Sequence, residues 1–468
     1  MPSVADMIGQ PTAPELSKPP ELTSIEDTGS LRDSIFDRVK TAAVTRFPIE
    51  NERYRIELKN IGYKGNKPFT KADQKDALVK GKSLNWRLYG DWKMIDKASG
   101  QAVDERKGEI VAHVPYMTER GTFVREGSEY CVSNQSRLRA GAYSRRKANG
   151  ELETHFNVLD GGRSFRVGMD PATAQLTMHV GGAKMRMYPI LRNMGVTDDA
   201  LRTAWGTEIF NRNQADDDSA KRALAQFHRG PEDAESVKLK DVLGKMQLDP
   251  EITEQTLGAK HSNVTPDALI RATGKLLNIS KGIEHEDDRD ALHYQKIMFP
   301  DDLIAERIEK DWDKRLTGKL LWQSSRKGQL AVYPGHLTPQ IDAVFTKSGL
   351  GQMIEECNPI ETLDQRYRVL RTGEGGISES GIPKESRNLQ SSHFGFIDPA
   401  RSPESGKVGV DSRLGINIYR GSDGQIYSPM RNAAGKIVPV SAKQAVNSVI
   451  AFPGEMARSG QKVRAMVH

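Results

Sequence analysis

The chain has 468 residues, with 68 Lys and Arg against 62 Asp and Glu, a formal net charge of +6. That length predicts two to four domains. The mild charge excludes a protein that coats nucleic acid nonspecifically, so any nucleic-acid contact must rest on local basic clusters.

In chain order, residues 1–28 are rich in Pro, Ser, Thr and Glu and are expected to form a flexible arm. The stretch SLRDSIFDRVKTAAVTRF spaces Leu31, Ile35, Val39, Ala42 and Ala43 as a helix does. From Arg53 to Tyr143, YRIELKNIGY, LNWRLYGDWKMI and GEIVAHVPYM alternate as half-buried strands. A basic cluster follows, with Arg137, Arg139, Arg145, Arg146 and Lys147; its bland reading is a solvated face. Residues ~150–280 predict a separate, mostly helical domain that also holds strands at SFRVGMD and AQLTMHV. Its segment YPILRNMGVTDDALRTAW predicts two helices separated at a glycine. HEDDRDALHYQKIMFPDDLIAERIEKDWDKRLTGKLL opens acidic and runs into an amphipathic helix. A second helix, a turn at Asn358-Pro359 and a basic segment then lead into the glycine loop RTGEGGISESG. Short strands are expected at GINIYRG and GQIYSPM, and a helix at SAKQAVNSVIAF.

Two cysteines, Cys131 and Cys357, lie far apart and no C-x-x-C occurs. A zinc ribbon within the chain is excluded, and a reducing compartment fits. MPSVADMIGQ lacks the basic and apolar regions of a secretory signal, and no run approaches the ~18 apolar residues of a membrane span. The expectation is a soluble, cytoplasmic protein with no membrane partner.

No motif completes a catalytic apparatus. RTGEGGISESG lacks the Lys-Ser or Lys-Thr end of a P-loop and the spacing of a dinucleotide fingerprint. Ser391, Ser392 and His393 adjoin, but no G-x-S-x-G elbow marks a nucleophile. HEDDRD fits neither a zincin nor an EF-hand, and no D-x-D-x-D is present for two-metal chemistry. No catalytic residue, metal ligand or cofactor is assigned to this chain. Two basic zones with glycine-rich breaks, near 137–147 and 366–413, suit contact with a nucleic-acid backbone.

The order of six segments adds a family. YMTERGTFVREGSEYCVSNQSRLRAGAY, YPILRNMGVTDDAL, DDRDALHYQKI, FTKSGLGQMIEECNPIETLDQRYRVLRTGEGGISE, the stretch Arg387–Gly415, and VSAKQAVNSVIAFPGE resemble, in sequence order, the N-terminal half of the bacterial-type RNA polymerase β subunit. The resemblance implies an α+β, multidomain fold. Its parts would be an arm (1–28), a mixed β/α protrusion (29–148 and 285–344), an inserted mostly helical lobe (149–284), a fork (345–400) and a short-stranded region (401–468) leading to the other half of β. It further implies a subunit of a DNA-directed RNA polymerase, inactive alone; the expected form is a split or strongly divergent β subunit, with a viral source as a candidate.

By position, the resemblance implies nucleic-acid contacts at Gln352, Arg366, Arg368, Arg387, Pro403, Glu404 and Lys407. Asp290 would lie by the non-template strand. Arg137 and Arg139 flank Leu138, which stands where the family has a conserved arginine. Lys407 replaces a family asparagine and Glu379 a family arginine. His393 matches a family histidine and is expected to be a packed, structural residue. The implied partners are a C-terminal β-like chain, β′-like chains holding Mg2+, the DNA template and the nascent RNA, with an initiation factor as a further candidate. The alternatives are a stand-alone nucleic-acid-binding protein and a virion structural protein.

Overall fold

The structure, a computed structural model, describes residues 20–65, 67–159, 163–215, 217–228, 238–432, 435–448, 450–451 and 464–466. Most of the expected arm, and most of the chain after Ala451, lie outside the described residues. The fold is α+β, in two compact units: one comprises the chain up to Arg137 and from Lys296 onward, the other Leu138–Gln295. No described helix is long and apolar enough to cross a membrane.

The discontinuous unit is organised on a four-stranded antiparallel sheet, ordered Ile49–Glu50, Tyr54–Tyr63, Asn85–Asp96, Ala102–Pro115. The alternation read from the sequence sets its register: Leu58 faces Trp92 and Leu88 faces Ala112, and all four are buried. A period-2 strand buries one face, so a slip of one residue would expose this whole set. The helix Thr28–Val44 begins where Asp27 accepts a hydrogen bond from the Ser30 amide at 3.0 Å. It buries Ile35, Phe36, Val39, Ala42 and Ala43 and packs against the helix Pro300–Asp311. Trp312 is fully buried and meets Phe47 edge-on at 5.1 Å.

The single amphipathic helix expected after HEDDRD is interrupted. Pro300–Asp311 passes through a π-helical turn, Trp312–Leu316, into the helix Thr317–Lys327. The Thr317 hydroxyl donates to the Trp312 carbonyl five residues back, the spacing of that wider turn.

Three more sheets complete this unit. Gly351–Met353, Ser128–Val132 and Phe123–Arg125 form one. A five-stranded sheet orders Gln295–Met298, Asn134–Leu138, Arg368–Leu370, Asp411–Leu414 and Ile397–Asp398. The short strands expected in GINIYRG and GQIYSPM appear as Tyr419–Gly421 and Ile426–Arg431, neighbours in a third.

The continuous unit carries an antiparallel meander, Gly141–Arg146, Leu152–Asn157, Phe165–Met169, Leu176–Val180 and Ala183–Arg186, with helices packed on it. Phe156 and Phe165 stack at 4.7 Å in its core. The two helices expected in YPILRNMGVTDDALRTAW are Met187–Asn193 and Asp198–Trp205. Gly195 between them has φ +91°, a conformation that favours glycine, and the Thr197 side chain accepts from the Ala200 amide.

Candidate nucleic-acid interface

Most sequence-derived candidates fall in two local settings of the discontinuous unit; Arg137 lies apart from both in that unit, and Arg139 and Asp290 lie in the other. The first setting is the central strand of the five-stranded sheet, around Arg368. Asn358 accepts from the Ile360 amide at 2.8 Å and Pro359 occupies the first helical turn, so the expected Asn-Pro turn opens a helix, Pro359–Tyr367. The strand Arg368–Leu370 follows at once and pairs antiparallel with Asp411–Leu414. That register sets Arg368 opposite Arg413 and diagonal to Asp411, which it grips through Nε at 3.1 Å and Nη2 at 2.6 Å. Both side chains are buried, 9% and 3% exposed. The Arg368 guanidinium also donates to the Gln352 amide oxygen, so these two candidates meet.

Arg413 extends the network, reaching Asp411 at 2.6 Å and Asp364 at 2.7 Å. Burial pulls the Asp364 carboxyl upward, but hydrogen bonds from Arg413 and Arg401 outweigh it and hold the group below the ordinary carboxylate range. The aliphatic stem of half-buried Arg366 lies against Gly121, where an added Cβ would sit 2.6 Å from its Cδ. Opposite Gln352 in register is Cys131, whose thiol burial pushes up to about 12. That thiol is a core group and not a nucleophile.

The second setting is the turn that carries Arg387, Pro403, Glu404 and Lys407. The Arg387 guanidinium donates to the carbonyls of Gly406 at 2.6 Å and Val408 at 3.1 Å. Ser402 Oγ donates to the Asp411 carbonyl and accepts from the Gly409 amide at 3.0 Å, closing the base of the turn. Gly409 has φ +70°, and a Cβ there would meet the Arg387 carbonyl oxygen at 2.2 Å, so no other residue fits. Arg387 is thus the internal brace of this turn. Glu404 and Lys407 stand exposed on it and Pro403 is half-buried. His393 is 9% exposed and its Nδ1 accepts from the Gln390 amide, as a packed residue does.

Arg137 and Arg139 hold internal partners. Arg137 makes two bonds to Glu306, at 2.7 and 2.6 Å, and donates to the Glu374 carbonyl at 3.0 Å. Gly375, at φ +82°, makes room for its guanidinium, which would lie 2.6 Å from a Cβ there. Burial raises the Glu306 carboxyl, but Arg137 and Lys310 outweigh it and lower it overall. In the other unit, Arg139 binds Asp249 at 2.6 Å and Glu251 at 2.7 Å. Asp290 there is half-buried, its amide donating to Asp288 at 3.2 Å.

The arrangement therefore divides labour. Arg137, Arg139, Arg368 and Arg387 are held by internal partners, Arg137 and Arg387 through backbone carbonyls as well, while Lys407 projects a cation from a braced turn. The acids that organise the site, Asp364, Asp411 and Glu306, were not singled out from the sequence. Each pairs with a base far along the chain, and no local spacing announces it.

Comparison with known proteins matches this same region. Residues 352–419, which include the Arg368 strand and the braced turn, match the family described as RNA polymerase Rpb2, domain 3. The chain is 22% identical over 427 residues to the DNA-directed RNA polymerase subunit beta of Mesostigma viride, covering 85% of this chain and 39% of the relative. The corresponding protein of Prochlorococcus marinus (strain AS9601) is 23% identical, covering 82% and 38%. That of Cyanidium caldarium is 24% identical, covering 72% and 34%. The chain spans less than two fifths of the length of these relatives. It is related in sequence to the β subunit of DNA-directed RNA polymerase, and what it matches is an N-terminal portion of that subunit.

Proposed function

We propose that this chain supplies the N-terminal portion of the β subunit of a multisubunit DNA-dependent RNA polymerase, working in the cytoplasm. The observation that carries this reading is the match at residues 352–419, within a similarity that covers most of the chain. In this reading the chain contributes to templated nucleotidyl transfer without performing the chemistry. It shapes the channel wall and holds the RNA–DNA hybrid and downstream DNA by positioning and electrostatics. Lys407 contacts a phosphate or base edge. Gln352 and Arg366 border the hybrid, and Arg137, Arg368 and Arg387 hold the surfaces that meet it. Asp290 and Arg139 serve the strands near the inserted unit. The Mg2+ ions and their carboxylates belong to a β′-like partner, and a second β-like chain supplies the remaining β segments. An initiation factor completes the assembly at promoters.

The test is affinity purification of the full chain from its native source, followed by mass spectrometry and a run-off transcription assay. The expected result is co-purification of a chain carrying the remaining β segments and a β′-like chain, with RNA synthesis by the complex. A chain that purifies without either partner overturns the proposal.

A further inference from the structure

The helix Thr317–Lys327 carries a surface that none of the assigned contacts use. It buries Leu320 and Ser324. Lys319, Trp322 and Arg326 are exposed. At 100° per residue these three fall within about 60° of one another, opposite the buried pair. Arg315, exposed in the π-helical turn, lies one turn upstream. The row from Arg315 to Arg326 extends about 16 Å along the axis, at 1.5 Å per residue.

Two features separate this face from an ordinary solvated one. Several helical cations elsewhere on this protein meet an acid three or four residues away: Arg202 with Asp199, Arg212 with Glu208, Arg271 with Asp267, Lys310 with Glu306. The sequence TGKLLWQSSRK contains no acid. Among the described residues, no carboxylate bridges Arg315, Lys319, Arg326 or Lys327. The helix macrodipole accounts for Arg326 and Lys327 in the last turn, but not for Arg315 and Lys319. The second feature is Trp322, 61% exposed, with the Arg326 guanidinium 5.6 Å from its ring centroid. An indole left in water between cations forgoes burial that this fold gives to Trp92, Trp205 and Trp312.

We propose that this helix face is a binding site for single-stranded nucleic acid. Lys319, Arg315 and Arg326 take successive backbone phosphates, and a base stacks on Trp322. Unpaired cations meet the charge of the backbone, and an exposed aromatic plane among them suits an unpaired base, since every base has a π-face. A duplex, whose bases are already stacked, would use the cations and leave the indole idle. The site stands on this helix alone and does not depend on the polymerase reading.

The test uses the full chain with fluorescein-labelled oligo-dT, oligo-U and a duplex of equal length, titrated across salt concentrations. Tryptophan emission is followed in parallel, since Trp322 is the exposed indole among the five. Single strands are expected to bind and to quench this emission. Trp322→Ala should weaken single-strand binding about tenfold, at the lower end of stacking energies per base. Lys319→Glu with Arg326→Glu should lower the salt slope by about 1.4, from 0.7 per phosphate contact. Stripe-dependent binding of either single strand supports the site, and the stronger of oligo-dT and oligo-U says which sugar it takes. Absent binding, or binding unchanged by both variants, overturns it. So does a duplex preference that Trp322→Ala leaves intact. Partner co-purification is unaffected by these outcomes, so failure of this site and failure of the polymerase reading are separately visible.

Discussion

At the scale of single residues, the structure separates arginines held by internal partners from the lysine that faces outward. Lys407 is exposed on a turn whose shape is held by Arg387, Ser402 and Gly409. In the proposed polymerase assembly, Lys407→Glu should destabilise the elongation complex and lower the salt slope of its dissociation by about 1, the share of one phosphate contact. Unchanged salt dependence of complex half-life would remove Lys407 from the interface. Arg368 behaves differently. Its loss leaves Asp411 buried with Arg413 as its one ionic partner among the described residues. Arg368→Ala should therefore cost about 3 kcal/mol of stability, the lower end for breaking a buried pair. A denaturant midpoint indistinguishable from the wild type would show that Arg413 compensates. These roles were only partly legible in the sequence. The basic residues stood out by type, but whether each is free or spent depends on an acid 43 residues away for Arg368 and 169 away for Arg137. Only the folded register supplies those partners.

At the scale of elements, local chemistry was legible wherever a side chain caps or a glycine stops. Thr197 and Gly195 delimit helices that the sequence already indicates, and the alternation of YRIELKNIGY becomes the strand Tyr54–Tyr63. The π-helical turn at Trp312–Leu316 was not legible, because its extra residue leaves the amphipathic pattern nearly intact while rotating the downstream helix. Beyond that turn, His336 sits 7% exposed, its ring 4.7 Å from that of Tyr333. Burial, with a smaller contribution from Lys319, lowers its pKa to about 4. Between that value and the ordinary 6.5, the unfolded chain binds the proton and the folded chain does not. The stability contributed by neutral His336 is thus complete above pH ~6.5 and lost as pH falls toward ~4, by about 3 kcal/mol at most. His336→Phe keeps a ring and removes the titration. Its melting temperature should fall less steeply than the wild type's between pH 6.5 and 4.5, and parallel curves would exclude His336 as a source of acid sensitivity.

At the scale of the whole molecule, one unit is discontinuous in sequence and the other is a single run, Leu138–Gln295. Continuity matters physically, because a continuous unit can close its core without waiting for distant chain. This one has its own cluster of buried side chains, including Phe156, Phe165, Ile190, Trp205 and Leu276. Two of its least exposed cations are also paired within it. Arg139 is bound by Asp249 and Glu251, and buried Lys275 reaches both oxygens of Asp287 at 2.7 and 2.8 Å. Asp249 serves twice, since it also caps the helix Pro250–Leu257. A continuous segment with its own core cluster and paired buried charges meets the conditions for independent folding. The fragment 138–295, expressed alone, should show a cooperative thermal transition and near-ultraviolet circular dichroism from its fixed aromatic rings. Lys275→Ala in that fragment should lower the transition strongly, because Asp287 then stays buried without its cation. Lys275→Met together with Asp287→Leu should recover much of the loss, as replacement of a buried pair by packed apolar groups does. A fragment that melts without cooperativity, or a double variant no better than Lys275→Ala, would mean that this unit needs the rest of the chain to hold its core.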